Sequence, residues 1–177
     1  MTLLKNMFIG IVLLFVVLIV VGFFLPSEFS VQRTVVIEAP AEEVYPHIVD
    51  LKQWKNWGVW FARDPQMKVT YSGTTAALGM KSSWQSEQEG SGEMTITALV
   101  PNKNVTYSLY FPDFDMGSTG ELQLVENQGI TTVTWRDYGD VGSNPINHYF
   151  ALMMDSMIGP DFEQGLSNLK TIVENQS

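Results

Sequence analysis

Residues 147–173 read NHYFALMMDSMIGPDFEQGLSNLKTIV, and the surface this helix lies on decides the fold. Apolar residues recur at helical spacing through its second half, at Phe162, Leu166, Leu169 and Val173, with Ile158 and Ile172 beside them. The first half crowds Met153, Met154 and Met157 together, next to Tyr149 and Phe150. An amphipathic helix of this length needs an apolar surface to cover. One that carries flexible thioethers suits an uneven or ligand-filled surface as well as a tight one. Gly159-Pro160 is expected to break or kink the helix. That divides a packing half, from Phe162 to Val173, from a Met-rich half.

The surface is supplied upstream. From Met67 the pattern turns to period two and keeps it for seventy residues. Met67, Val69 and Tyr71 alternate with polar neighbours, as do Met80, Ser82 and Trp84, then Met94, Ile96 and Ala98. Val105, Tyr107, Leu109 and Phe111 follow, then Leu122 and Leu124, then Val133 and Trp135. Turn residues separate these runs: Ser72-Gly73, Glu89 to Gly92, Pro101-Asn102, Asp113 to Gly117, and Asn127-Gln128-Gly129. Six such strands make an antiparallel meander with one wet face and one dry face. Val31 to Glu38 reads as a further strand. Ala39-Pro40-Ala41-Glu42-Glu43 opens a short helix, and Asp50 caps a second one through Leu51, Trp54 and Trp57, ending near Gly58. The expected architecture is α+β: a curved antiparallel sheet of about seven strands wrapped around the C-terminal helix.

The first 25 residues stand apart. Met7 to Leu25 is a run of 19 residues without a charge, about 28 Å of helix, close to the thickness of a bilayer's hydrocarbon core. A cleaved signal peptide has a shorter apolar region and a small-x-small site, and Val21-Gly22-Phe23-Phe24-Leu25-Pro26 offers none. The expected organisation is therefore a cytoplasmic N-terminus at 1–6, a transmembrane helix at 7–25, a linker at 26–30 and one domain at 31–175. Lys5 precedes the span and Glu28 is the first charge after it. The positive-inside rule then places the domain on the extracytoplasmic, periplasmic side of an inner membrane. All 19 acidic residues but only 9 of the 10 basic ones follow the run, a formal charge of −10. A polyanion such as nucleic acid would be repelled by that surface.

The order strand, two short helices, six-stranded meander and long helix resembles the helix-grip superfamily, also called START-like, SRPBCC, or polyketide cyclase/dehydrase and lipid-transport. Local wording is similar too: Ile37-Glu38-Ala39-Pro40, Val44-Tyr45, Asp50-Leu51 and Trp54-Lys55-Asn56-Trp57 near the start, then Asp64 to Gly73 and Gly90 to Ile96. Met157 to Leu169 resembles the closing helix of a membrane-anchored bacterial subgroup. The likeness spans Val31 to Val173. It implies a hydrophobic pocket between helix and sheet, and it implies no shared catalytic constellation.

The residues themselves point the same way. His47 and His148 have no carboxylate or nucleophile at a known spacing and read as surface or helix-end histidines. No metal-ligand spacing and no phosphate loop is present, so no metal and no cofactor is expected. By strict alternation the dry face carries almost nothing ionisable. Asp137 falls inward at a strand's end and Arg33 near the start of the first strand, each placed to form an edge ion pair or close a cavity mouth. Trp54, Trp57 and Trp60 form either a packed helix face or an aromatic contact with the membrane. Candidate cavity residues are Trp84, Met94, Tyr107, Leu109, Phe111, Trp135, Tyr149, Met153, Met154, Met157 and Ile158. The function expected is a membrane-anchored binding module for a hydrophobic small molecule or lipid. Two alternatives stay open: a cyclase- or hydrolase-type enzyme on a hydrophobic substrate, and a tethered accessory domain.

Overall fold

The computed structural model describes residues 2–176. Helix α1 (Thr2–Gly22) is followed by β1 (Glu28–Ile37) and three helices, α2 (Ala41–Val49), α3 (Trp54–Trp57) and α4 (Val59–Arg63). The meander comprises β2 (Lys68–Ser72), β3 (Lys81–Ser86), β4 (Gly90–Val100), β5 (Asn104–Phe111), β6 (Met116–Asn127) and β7 (Ile130–Asp140), and α5 (Pro145–Glu174) closes the chain. All seven strands form one antiparallel sheet in the order β1-β7-β6-β5-β4-β3-β2. The architecture is the α+β helix grip that the alternation implies.

Strand ends differ from the sequence-based limits. β1 starts at Glu28 rather than Val31, because residues 28–30 pair with Asp140, Gly139 and Tyr138. Gly90 to Gly92 lie within β4, and β6 begins at Met116, so both strands absorb residues expected in turns. Gln128 and Gly129, at φ of 53° and 78°, make the tight turn between β6 and β7 with the positive φ at both positions that a primed hairpin requires. A register shift between Ile96 and Ala98 interrupts the β4–β5 ladder, and such a bulge bends the sheet around the helix.

The dry face is filled by Val31, Ile37, Ile96, Val105, Tyr107, Leu122, Val133 and Trp135, all at most 1% exposed. Phe162, Leu166, Leu169 and Val173 of α5 lie buried against them. Trp54 and Trp57 are equally buried, so the membrane-contact reading fails for these two. Trp135 is the hub: its ring stacks parallel on Phe162 at 4.0 Å and meets Trp54, Trp57 and Trp60 edge-on at 5.3 to 5.9 Å. Each buried indole finds an acceptor, as the burial of an N–H demands. Trp54 donates to the Ile48 carbonyl, Trp57 to the His47 carbonyl and Trp135 to the Tyr107 hydroxyl.

Gly159-Pro160 does not break α5, which runs unbroken for 30 residues. A side chain from β1 braces both flanks of the pair. Arg33 reaches across the helix, donating from Nε to Glu163 at 2.6 Å and from Nη1 to Asp155 at 2.7 Å. Asp155, Gly159 and Glu163 stack at successive turns, and the guanidinium fills the space over the glycine. A Cβ at Gly159 would sit 2.1 Å from Arg33 Nη2. Arg33 thus ties strand to helix and does not close the cavity.

Candidate ligand cavity

A cavity of about 340 Å³ opens between the sheet and α5, within the range of small-molecule pockets. Its sheet side is built by inward positions: Ser82 and Trp84 of β3, Met94 of β4, Tyr107, Leu109 and Phe111 of β5, Met116 and Ser118 of β6, and Trp135 and Asp137 of β7. Leu51, Trp54, Trp60 and Phe61 from the helical segment, and Met154, Ile158 and Phe162 from α5, complete the wall. Eight of the expected residues therefore line the space: Trp84, Met94, Tyr107, Leu109, Phe111, Trp135, Met154 and Ile158. Three do not. Met153 and Met157 point outward, half exposed, and the Tyr149 hydroxyl donates to the Leu18 carbonyl of α1 at 2.7 Å. The cluster of methionines is split by the helical period, which leaves only Met154 facing in.

The cavity does hold an ionisable group, the Asp137 that alternation placed on the inner face, but buried and not paired at an edge. Asp137 is 2% exposed and faces the cavity. It makes no ion pair among the described residues; Ser118 Oγ donates to its Oδ2 at 3.1 Å. Burial is the main cause that pushes its carboxyl up from 3.8 to about 7, against a smaller lowering by the Ser118 hydrogen bond. Across the sheet, Gly120 pairs with Tyr107 on one side and Asp137 on the other. Having no side chain there lets the Tyr107 ring lie over β6, since a Cβ at Gly120 would fall 2.0 Å from its Cζ. Burial first, then the charge of Asp137, push the Tyr107 hydroxyl well above the usual phenol range, and the Trp135 hydrogen bond opposes them.

At the other end Arg63 clamps the rim. Its guanidinium donates to Glu89 of the β3–β4 turn at 2.8 and 3.2 Å and to Asp161 of α5 at 2.9 and 2.8 Å. All three residues line the cavity. Sequence spacing gave no hint of this, because the partners are far apart in the chain. Ser118 and Met116 were legible in principle: the alternation 116, 118, 120, 122, 124 runs through residues assigned to a turn.

Both histidines lie at helix ends, in the last turn of α2 and the first turn of α5, but deeper than a surface position. His148 is buried, with Nδ1 against the Gly22 carbonyl at 2.8 Å and Nε2 against the Gly142 carbonyl at 2.9 Å. His47 keeps a buried Nδ1 without a hydrogen-bond partner, and burial pulls its pKa down. Neither lines the cavity. Among the described residues no three His, Asp or Glu side chains converge as a metal site would need. A second hollow, about 730 Å³ and open to solvent, lies at the ends of β1, β6 and β7 and shares Phe29, Leu109, Gly117 and Ser118 with the inner cavity.

A curved sheet gripping one long helix over an apolar cavity defines a helix-grip domain. The chain belongs to the polyketide cyclase / dehydrase and lipid transport family, which matches residues 28–174. No curated protein matches the chain. Among solved structures, a protein from Mesorhizobium loti is similar at 15% identity and a TM-score of 0.62, covering 84% of this chain and 98% of its own. A protein from Thermobifida fusca is 20% identical, with a TM-score of 0.63 over 82% of this chain and 93% of that one. The Aha1 dimer from Colwellia psychrerythraea is 20% identical, with a TM-score of 0.55 over 82% and 96%. At these identities the likeness extends to the fold.

Proposed function

We propose that this chain is a membrane-anchored binding module that holds a hydrophobic small molecule or lipid between its sheet and α5. The observation that carries the proposal is the cavity itself, walled by Trp84, Met94, Leu109, Phe111, Met154 and Ile158. Apolar surface left uncovered in this way favours an apolar occupant. The anchor is supported by Leu3–Gly22, a helix near the N-terminus that is long and apolar enough to cross a bilayer. Such a helix also fits a signal sequence. What favours retention is that α1 is built into the domain, through Tyr149 on the Leu18 carbonyl and His148 on the Gly22 carbonyl.

The test is extraction. Full-length protein and a Leu109→Trp variant, which fills the cavity, are purified in the same detergent, and their organic extracts compared by mass spectrometry. The expected result is an apolar molecule near one per chain in the unaltered protein and depleted in the variant. Identical extracts would remove the binding reading.

Asp137 favours a second reading, a cyclase- or hydrolase-type reaction on the bound molecule. A carboxyl that titrates near 7 inside an apolar cavity is suited to proton transfer at neutral pH. Under that reading Asp137→Asn keeps the bound molecule and stops its conversion. The unaltered protein's extract then contains a product that the variant's lacks, whereas under the binding reading the two extracts contain the same compound.

A further inference from the structure

The N-terminal half of α5 carries a second apolar face that the cavity does not use. Ile146, Phe150, Met153 and Met157 are each between 49% and 52% exposed. At 100° per residue they fall within about 60° of arc, one continuous stripe along three turns. Between Ile146 and Met157 the ionisable side chains are His148, Tyr149 and Asp155. All three are engaged elsewhere, His148 with the Gly22 and Gly142 carbonyls, Tyr149 with the Leu18 carbonyl and Asp155 with Arg33. Exposed apolar stripes of this length mark a contact surface.

The position of α1 says what covers it. Tyr149, one residue before Phe150, bonds to the Leu18 carbonyl, and Gly22 packs so closely on Pro145 that a Cβ there would sit 2.4 Å from the Pro145 carbonyl oxygen. Leu18 is four residues short of the end of α1, about 6 Å below it along the axis. When α1 spans a bilayer, the start of α5 is therefore held at the depth of the headgroups. The stripe begins at Ile146, next to the Pro145 on which Gly22 of α1 packs. We infer that Ile146, Phe150, Met153 and Met157 lie in the interface of the same membrane, as an apolar contact that does not need anionic lipid. This rests on the anchor reading above. The domain's charge of −10 argues against attraction to anionic headgroups. Amphipathic helices bind an interface in this way, with the apolar face sunk into the acyl boundary. Met154 and Ile158, on the neighbouring face of the same turns, wall the cavity. One helical segment thus separates bilayer from cavity, and a lipophile can pass between them without crossing bulk water.

The chain has no cysteine, so single nitroxide labels can be placed without altering the background. Full-length protein with Phe150→Cys, Met153→Cys, Val16→Cys, Val125→Cys or Gln164→Cys is labelled and reconstituted in phosphatidylcholine nanodiscs. Collision rates with oxygen and with a water-soluble nickel chelate are then measured. Val125 is exposed on β6, and Gln164 is exposed on α5 seven residues beyond Met157, about 10 Å past the end of the stripe. The inference expects an oxygen-to-nickel ratio several-fold higher at positions 150 and 153 than at 125 and 164, approaching that at 16. A bilayer-like Val16→Cys label with water-like labels at 150 and 153 overturns it. A water-like label at 16 as well would show instead that the anchor reading fails, and the inference with it.

Discussion

A carboxyl group in an apolar cavity costs free energy whenever it is charged, and the Asp137 carboxyl, raised from 3.8 to about 7, carries that cost into the pH dependence of folding. The folded state holds the proton more tightly than the unfolded chain. Its contribution is therefore fully present below about pH 4 and is lost as the pH rises through about 7, by up to ~4 kcal/mol. Asp137→Asn should be more stable than the unaltered protein at pH 8, with the difference vanishing near pH 4. Denaturant unfolding followed by tryptophan fluorescence across that range checks this. His47 works in the opposite sense. Its pKa is lowered by burial, so its contribution is lost as acid protonates the unfolded chain below about 6.5. Gly120 offers a steric test: Gly120→Ala drives a methyl into the Tyr107 ring and should cost at least ~2 kcal/mol. Alternation alone placed Asp137 on the inner face. Its burial was not legible, because the strand seemed to end there, whereas pairing of β1 from Glu28 extends β7 to Asp140.

Strands of this sheet are legible because one face is wet and the other dry, so the period-two pattern survives in every run. Their ends are not, since Gly90-Ser91-Gly92 and Met116-Gly117 suit turns equally well until a neighbouring strand pairs with them. At Pro160 the expected break is absent. A glycine-proline pair reads as a break or a kink, but Arg33 holds both flanks of it through Asp155 and Glu163. The Met153/Met157 pair illustrates another limit: composition identifies a Met-rich turn, but only the rotation of α5 decides which methionine faces the cavity. Arg63 joins α4, the β3–β4 turn and α5 through residues that share no sequence pattern. Arg63→Gln should cost about 1 kcal/mol, as a half-exposed ion-pair network does. It should also raise amide hydrogen exchange in residues 87–89 selectively, while exchange in β7 stays unchanged.

For the molecule as a whole, fold and cavity follow from a sheet whose inner face is larger than one helix can fill. The aromatic hub around Trp135 occupies one part of that face, and the space beside Trp84, Met94 and Leu109 is left open. All five tryptophans lie between residues 54 and 135 and none in α1, which makes the cavity addressable by light. Full-length protein in nanodiscs is titrated with a bromine-labelled long-chain alcohol while tryptophan emission is recorded. The heavy atom quenches on contact, so an occupied cavity predicts strong, saturable quenching that the Leu109→Trp variant reduces by exclusion. Emission that stays constant through the titration, or that falls equally in both proteins without saturating, would contradict the claim that this cavity binds an apolar molecule.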